Sequence, residues 1–324
     1  MRQWPLFFTS AWIGLAVPLT AISQAYPNKP IRLVSQFVPG SSGDTSLRII
    51  STAIGASLGQ PVVMDNRAGA GGLLAAQQVL TAAPDGYTIL ASSSAFYVVR
   101  PFVVKDNPFD PAKSFTPITL YEEAFSFLVA HPGFAPNTMK EVLDYARDNP
   151  NRVTFGTSGI GTEGHLSGEQ IMKLANVKLT HVPYKASALA LADTVSGQIS
   201  TSFSIHALAL PFINSGKIKA IAVVSNARLP RVPTLARVSE TIPDFDAPAS
   251  WTGIFGPVGM TSALVRRIQS EFAKASKDPQ TAAKLTEGGF HYVSASAPEE
   301  FSARLQREIA LTASLVKTAG IKPE

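Results

Sequence analysis

Two glycine- and serine-rich segments constrain this chain most: Phe37-Val-Pro-Gly-Ser-Ser-Gly-Asp44 and Phe155-Gly-Thr-Ser-Gly-Ile-Gly-Thr-Glu-Gly-His165. Each follows a short apolar run and precedes a helical pattern. At such a junction the first N–H groups of the helix lack intrahelical acceptors, and the helix dipole adds partial positive charge. The geometry holds an anion without needing a cationic side chain. Two such junctions, far apart along the chain, predict a small anion held between two lobes.

The surrounding pattern alternates strand, loop and helix. Ile31–Val38 reads as a buried parallel strand entering the first loop. Leu47, Ile50, Ile54 and Leu58 follow at helical spacing, and Gly59 stops that helix before Pro61. Val62–Met64 and Tyr87–Leu90 are the next strands, separated by a helix from Ala68 through Leu80. The third strand ends in a small polar loop, Ala91–Phe96, and ligands of open α/β sheets gather at such strand ends. Phe125–Val129 carries the chain into a second lobe, where Arg152–Phe155, Leu179–Tyr184 and Ile218–Val224 read as strands. The proline-rich stretch Leu229–Pro248 reads as a return crossing, and Trp251–Phe255 rejoins the first lobe. Leu264, Ile268 and Phe272 mark a closing helix; Ser296-Ala-Pro-Glu299 reads as the capping box of the last, with Phe301, Leu305 and Ile309 inward. The expected fold is α/β: residues 26–123 plus 250–324 form lobe one and residues 124–249 form lobe two.

The first 25 residues read as an address. Arg2 supplies a positive start, Leu6 to Leu19 is mostly apolar, and Ser23-Gln24-Ala25 resembles a signal-peptidase site. A signal anchor is the other reading of this stretch, and Pro5, Pro18 and the small residues before Tyr26 favour cleavage. The chain has no cysteine, so an exported form relies on its core rather than on disulfides. Its 28 basic and 23 acidic residues form no Lys/Arg run, which argues against nucleic acid and allows mild attraction of a carboxylate.

Several motifs have competing readings. Gly159-Ile-Gly-Thr-Glu-Gly164 has the dinucleotide-binding spacing, but the following strand ends in Val182-Pro-Tyr-Lys185 with no acid for a ribose. Gly156-Thr-Ser158-Gly stops short of a nucleophile elbow because Ile160 occupies the fifth position. His131, His165, His181, His206 and His291 show no metal-ligand spacing, and His165 reads as structural. No catalytic residues, metal or cofactor are expected. One ring of Phe96 and Tyr97 either packs in the core or stacks on a flat ligand. Asp44 either holds a bridging water or caps the helix. Tyr184 reaches a polar ligand group or packs at an edge, and His206 is a candidate for a distal carboxylate.

With these segments in order, the chain resembles the Bug-type substrate-binding proteins of tripartite tricarboxylate transporters. The markers are Tyr26-Pro-Asn-Lys-Pro-Ile31, Gly59-Gln-Pro-Val-Val63, Asn66-Arg-Ala-Gly-Ala-Gly-Gly72, Ala83-Pro-Asp-Gly-Tyr-Thr88, Gly164-His-Leu166, His181-Val-Pro-Tyr-Lys185 and Ala319-Gly-Ile-Lys322. The resemblance implies a two-lobe, type II-like periplasmic binding fold, each lobe a mixed sheet flanked by helices, closing on its ligand. It implies one carboxylate held by Pro39, Gly40, Ser41, Ser42 and Asp44, by Ser93 and Ser94, and by Thr157, Ser158, Gly159, Gly161 and Thr162. It also implies membrane transporter subunits as partners, a periplasmic location and a chain that works as a monomer without chemistry.

The chain departs from the family at Pro39-Gly-Ser-Ser-Gly-Asp44, where a more glycine-rich loop is usual, and at Phe203-Ser204-Ile205, where Phe-Asp-Ser is usual. Without an acid at Ser204, an amino-acid ligand loses its ammonium partner. Ser204, His206 and Tyr184 then predict a second carboxylate at the far end of the cleft, and Phe37, Phe96 and Tyr97 flat walls. The expected ligand is a dicarboxylate, with an aromatic one such as terephthalate favoured. A carboxylate sensor for a signalling receptor would use the same fold. An exported hydrolase is the reading from another class, and it lacks a nucleophile–base set.

Overall fold

A computed structural model describes residues 26–108, 110–226, 232–248, 250–287, 295–318 and 320–323. The expected signal peptide at 1–25, and His291, lie outside the described residues. Among the described residues, ten strands form two five-stranded sheets, ordered β2-β1-β3-β10-β4 and β7-β6-β8-β5-β9. The first contains β1 (Ile31–Ser35), β2 (Val62–Asn66), β3 (Thr88–Ser93), β4 (Phe115–Glu123) and β10 (Trp251–Pro257). The second contains β5 (Ser126–Ala130), β6 (Thr154–Thr157), β7 (Thr180–Pro183), β8 (Thr201–Ile205) and β9 (Lys219–Val224). The helices are α1 (Ser42–Leu58), α2 (Leu73–Leu80), α3 (Arg100–Val103), α4 (Pro111–Ser114), α5 (Met139–Asp148) and α6 (Glu163–Ala175). They continue with α7 (Ser187–Ser196), α8 (His206–Asn214), α9 (Val238–Thr241), α10 (Ser262–Lys277), α11 (Pro279–Glu287) and α12 (Pro298–Thr318).

The two sheets share one plan. In the first, β1 is parallel to β2 and β3, and β10 runs antiparallel between β3 and β4. In the second, β6 is parallel to β7 and β8, and β5 runs antiparallel between β8 and β9. The two glycine/serine loops therefore occupy equivalent places, after β1 and after β6, each feeding a long helix. The ends of β3 and β8 are equivalent too. Only Ala124 and Phe125 separate β4 from β5, so the chain passes between the sheets with almost no slack.

Alternation along the strands fills a core on both faces of each sheet. In β1, Ile31 and Leu33 join one buried cluster while Val34 joins the other. In β5, Leu128 and Ala130 face one cluster, Phe127 and Val129 its opposite. Leu166 of α6 is buried among first-lobe residues that include Phe301 and Leu305 of α12, which joins the lobes beside the cleft.

Three local expectations are corrected. β1 ends at Ser35 rather than Val38, because the Gln36 side chain turns to bond Ser92 and Ser93 of β3 and the Phe37 N–H turns back to Ser35 Oγ. The polar loop expected at Ala91–Phe96 is the continuation of β3 through Ser93, followed directly by a turn of π-helix over Ala95–Val99. Ser296 does not cap α12: its hydroxyl accepts the Leu120 N–H, and Glu300 reaches back to the Ala297 N–H instead. The helix stop at Gly59 is as expected, with φ of 65° in the left-handed region.

The close seating of α6 on β6 depends on Gly168, where a Cβ would lie 2.3 Å from the buried Phe155 ring. Gly168→Ala is expected to cost ~1–3 kcal/mol by overpacking, more than the ~1 kcal/mol it gains in helix propensity. Denaturant titration checks this, and adding Phe155→Leu is expected to restore part of the loss.

Candidate functional site

The equivalent loops of the two sheets face each other across a cavity of about 310 Å³, a small-molecule size. It opens at the carboxyl ends of β1, β3, β6 and β8, where open α/β sheets collect ligands. Lobe one contributes Phe37, Ser41, Ser42, Ser93 and Ser94; lobe two contributes Ser158, Thr162, Phe203 and His206. The crossing segments add Glu122, Phe125, Ser126 and Trp251. No Lys or Arg is among its described lining residues.

The first junction is shaped from within. Ser41 caps α1, its hydroxyl accepting the Asp44 N–H at 3.4 Å. The Asp44 carboxylate is 1% exposed. It accepts the Gly40 N–H at 2.8 Å, Asn66 Nδ2 at 2.8 Å and Arg48 Nε at 2.9 Å. Burial pushes this carboxyl up, but the hydrogen bonds from Arg48, Gly40 and Asn66 outweigh it and hold it below the usual range. Gly40 sits at φ of 80°, so the loop folds back over Asp44 and presents Ser41 and Ser42 to the cavity.

The second junction is built differently. Thr162 occupies the cap position of α6, yet its hydroxyl donates to the Gly159 carbonyl at 2.7 Å and caps nothing. The first N–H groups of α6 are left without a side-chain cap at the cavity wall formed by Thr162, Glu163 and Gly164. Gly159 and Gly161 have φ of 124° and 75°, and Gly164 has no room for a Cβ beside Phe203. The dinucleotide-like spacing is thus a tight turn and a close helix approach. The Thr157 hydroxyl lies 2.7 Å from His181 Nε2, and the His181 ring stacks on His165, whose Nδ1 accepts the Gly161 N–H.

Two acids missed in the sequence line the cavity. Glu122 is buried at the end of β4, with Oε2 accepting the Ser46 hydroxyl at 2.7 Å. Glu163, the first residue of α6, accepts the Ser126 hydroxyl on Oε2 at 2.8 Å. Its Oε1 is shut off from solvent and has no hydrogen-bond partner among the described residues. Burial pushes Glu122 up to about 7 against hydrogen bonds from Ser46 and Tyr121, and Glu163 up to about 7 against Ser126.

Of the residues expected at the site, Phe37, Ser41, Ser42, Ser93, Ser94, Ser158, Thr162 and His206 line this cavity. Pro39, Gly40, Asp44, Thr157, Gly159 and Gly161 do not line it, and the hydrogen bonds between Gly40 and Asp44 and between Thr157 and Gly159 shape the two loops. Phe96 is core, 1% exposed and packed edge-on against Phe115, and Tyr97 stacks on Phe255. Tyr184 turns its hydroxyl to Asp193. Ser204 is fully buried; strand alternation sends it to the face of β8 opposite Phe203 and Ile205, which do line the cavity. Ser204 therefore has no bearing on whether the cavity accepts an ammonium group. Among the described residues, the acids lining the cavity are Glu122 and Glu163. A glutamate at the first position of the helix that follows the second glycine/serine loop was the signal available in the sequence.

A family model, the tripartite tricarboxylate transporter family receptor, matches residues 47–321. The chain belongs to this receptor family. The receptor is 34% identical over 295 residues to a UPF0065 protein in the tcbD-tcbE intergenic region of Pseudomonas sp. (strain P51), spanning 88% of this chain and 87% of that one. Among solved structures it is similar to Rhodopseudomonas palustris Rpa4515 with adipate, at 28% identity and TM-score 0.81, covering 92% of this chain and 100% of that one. It is also similar to the periplasmic binding protein BugD, at 29% identity and TM-score 0.77, covering 92% and 100%. MatC from R. palustris with bound malate matches at 28% identity and TM-score 0.75, covering 90% and 100%. The receptor thus shares the two-lobe fold of periplasmic binding proteins, and its family is one of solute receptors rather than enzymes.

The two cavity acids give this receptor a testable pH response. A carboxyl raised from 4.5 to about 7 contributes stability that is complete below 4.5 and lost as pH rises toward 7. His181, pushed down from 6.5 to about 4 by burial and by His165, acts oppositely and loses stability as pH falls across that range. The Glu122→Gln/Glu163→Gln double variant is therefore expected to show a melting temperature that rises more steeply with pH between 5 and 7 than the wild type. Thermal unfolding across that range measures it.

Proposed function

We propose that this receptor is exported through its N-terminal segment and works as a periplasmic monomer. There it captures a small organic dicarboxylate for the membrane subunits of a tripartite tricarboxylate transporter. The observation that carries the reading is the convergence of two strand–helix junctions on one cavity lined by no Lys or Arg among its described residues. Such a site recognises a carboxylate by backbone N–H groups, serine hydroxyls and helix dipoles. Adipate in Rpa4515 and malate in MatC, both dicarboxylates, support a ligand with two acid groups. Phe37, Phe125, Phe203 and Trp251 along the wall support a flat ligand, and terephthalate is the aromatic candidate.

Charge-assisted hydrogen bonds contribute roughly 1.5–3 kcal/mol each. Four or five of them, after association costs, support micromolar affinity, about −8 kcal/mol. Calorimetric titration with terephthalate, adipate, citrate, benzoate and glutamate is expected to rank a dicarboxylate first. Tight binding of glutamate with no response to terephthalate or adipate overturns the reading. Ser158→Phe is expected to weaken binding more than about 100-fold with an unchanged melting temperature, since Ser158 is exposed at the cavity wall. Unchanged affinity in that variant removes the second junction from the site.

A further inference from the structure

We propose that Glu163 is the specificity-determining residue of this receptor: it holds a proton on Oε1 and shares it with one carboxylate of the bound dicarboxylate, so that capture takes up a proton from solvent. The proposal rests on the dicarboxylate reading above.

Geometry singles out Glu163 over Glu122. The Glu122 carboxyl is tied to Ser46 of α1 and to Tyr121. Glu163 is engaged on Oε2 alone, by Ser126 of β5, while Oε1 lies buried without a partner among the described residues, in a residue that lines the cavity. A buried oxygen left unpaired costs about 1–3 kcal/mol, more if charged, so the site is incomplete until something meets it. That oxygen is closed off from the cavity as it stands, and a turn of the carboxyl about its last side-chain torsion brings it to the wall, where a ligand carboxylate can meet it.

The charge balance of the cavity decides the protonation state. The titratable groups facing it are Glu122 at the end of β4, Glu163 on α6 and His206 at the start of α8. Around α6, His165 is held by Gly161 and stacked on His181, Glu169 lies beside His165, and Arg304 of α12 is engaged by Glu123 and Glu308. No described lysine or arginine reaches the cavity wall. Two carboxylates about 4 Å apart would repel by roughly 4 kcal/mol at an effective dielectric of 20. A neutral Glu163 converts that repulsion into a short O–H···O⁻ bond, among the strongest available to an uncharged donor. The helix dipole at the first position of α6 opposes protonation. Burial acts the other way and pushes the Glu163 carboxyl up to about 7 against the Ser126 hydrogen bond. A ligand carboxylate beside it raises it further, as in paired carboxylates that share one proton.

The proton balance distinguishes this mode from its rival. Sharing with a carboxylate draws one proton from bulk solvent onto Glu163, and no bond other than O–H is made. An ammonium ligand would instead require ionised Glu163 and expel that proton. Adipate is the probe, titrated calorimetrically at pH 8 in two buffers of different ionisation enthalpy. Wild type is expected to take up close to one proton per adipate. Its affinity should be level below about pH 7 and fall toward ten-fold per pH unit above it. Glu163→Gln keeps a donor but cannot exchange a proton: no uptake is expected, with affinity flat from pH 6 to 8.5 and higher than wild type at pH 8.5. Adipate binding by the wild type with no proton uptake and a flat pH profile overturns the proposal while leaving the dicarboxylate reading intact. Proton release with glutamate at pH 6, lost in Glu163→Gln, overturns it in favour of ammonium pairing. No binding of any dicarboxylate from pH 5.5 to 8.5 removes the reading and the proposal together.

Discussion

The Asp44 carboxylate, buried in the first turn of α1, accepts hydrogen bonds from the loop before it, from its own helix one turn on and from the end of β2. Everything the first lobe offers to a ligand depends on that arrangement. Ser41 caps α1 only because the loop folds back at Gly40, and Gly40 is held by Asp44. The charge is kept ionised at the positive end of a helix, where the dipole and three donors offset its burial. Asp44 therefore shapes the first loop of the cavity wall without itself lining the cavity.

Lobe two repeats the topology but not this chemistry. Its turn is held by left-handed glycines and by the Thr162 and Thr157 hydroxyls on the Gly159 carbonyl. Its first-turn acid, Glu163, stands at the first helical position, whereas Asp44 stands at the third. Two residues on an α-helix are about 200° apart around the axis, so one acid turns into its own loop and the other toward the cavity. The same pair of elements in the two lobes thus supplies a scaffold charge on one side and a cavity-lining carboxyl on the other.

Much of this was legible in the sequence, because the fold signals were local. Apolar runs before Gly/Ser loops, i and i+4 apolar positions and helix-ending glycine each act within a few residues, and both junctions follow from them. The errors came where placement is decided by tertiary neighbours. Ser204 and Phe203 are adjacent, and only the pairing of β8 with β5 and the helix covering one face determines which of them meets the cleft. Phe96 looked like a ligand wall because it follows serines, but the unbroken run from β3 into a π-turn carries it into the core. Glu122 was invisible for a different reason: it ends an apolar strand in another part of the chain and reaches the cleft only because β4 leads into β5 with two residues to spare.

Net charge was the least informative guide. The chain carries a formal +5, yet the ionisable groups lining its cavity are two acids and a histidine. An excess of basic residues elsewhere on the surface affects long-range encounter, which salt screens over about 8–10 Å. Recognition inside a cavity is set by the groups that touch the ligand. A receptor that must hand its ligand to a membrane partner gains from this separation. A bidentate arginine would fix a carboxylate strongly and leave a buried unpaired cation when the ligand departs. Backbone N–H groups, serine hydroxyls and a carboxyl near its own titration point are each neutral or easily neutralised. Losing a ligand then exchanges hydrogen bonds for hydrogen bonds to water and leaves no fixed cation unpaired.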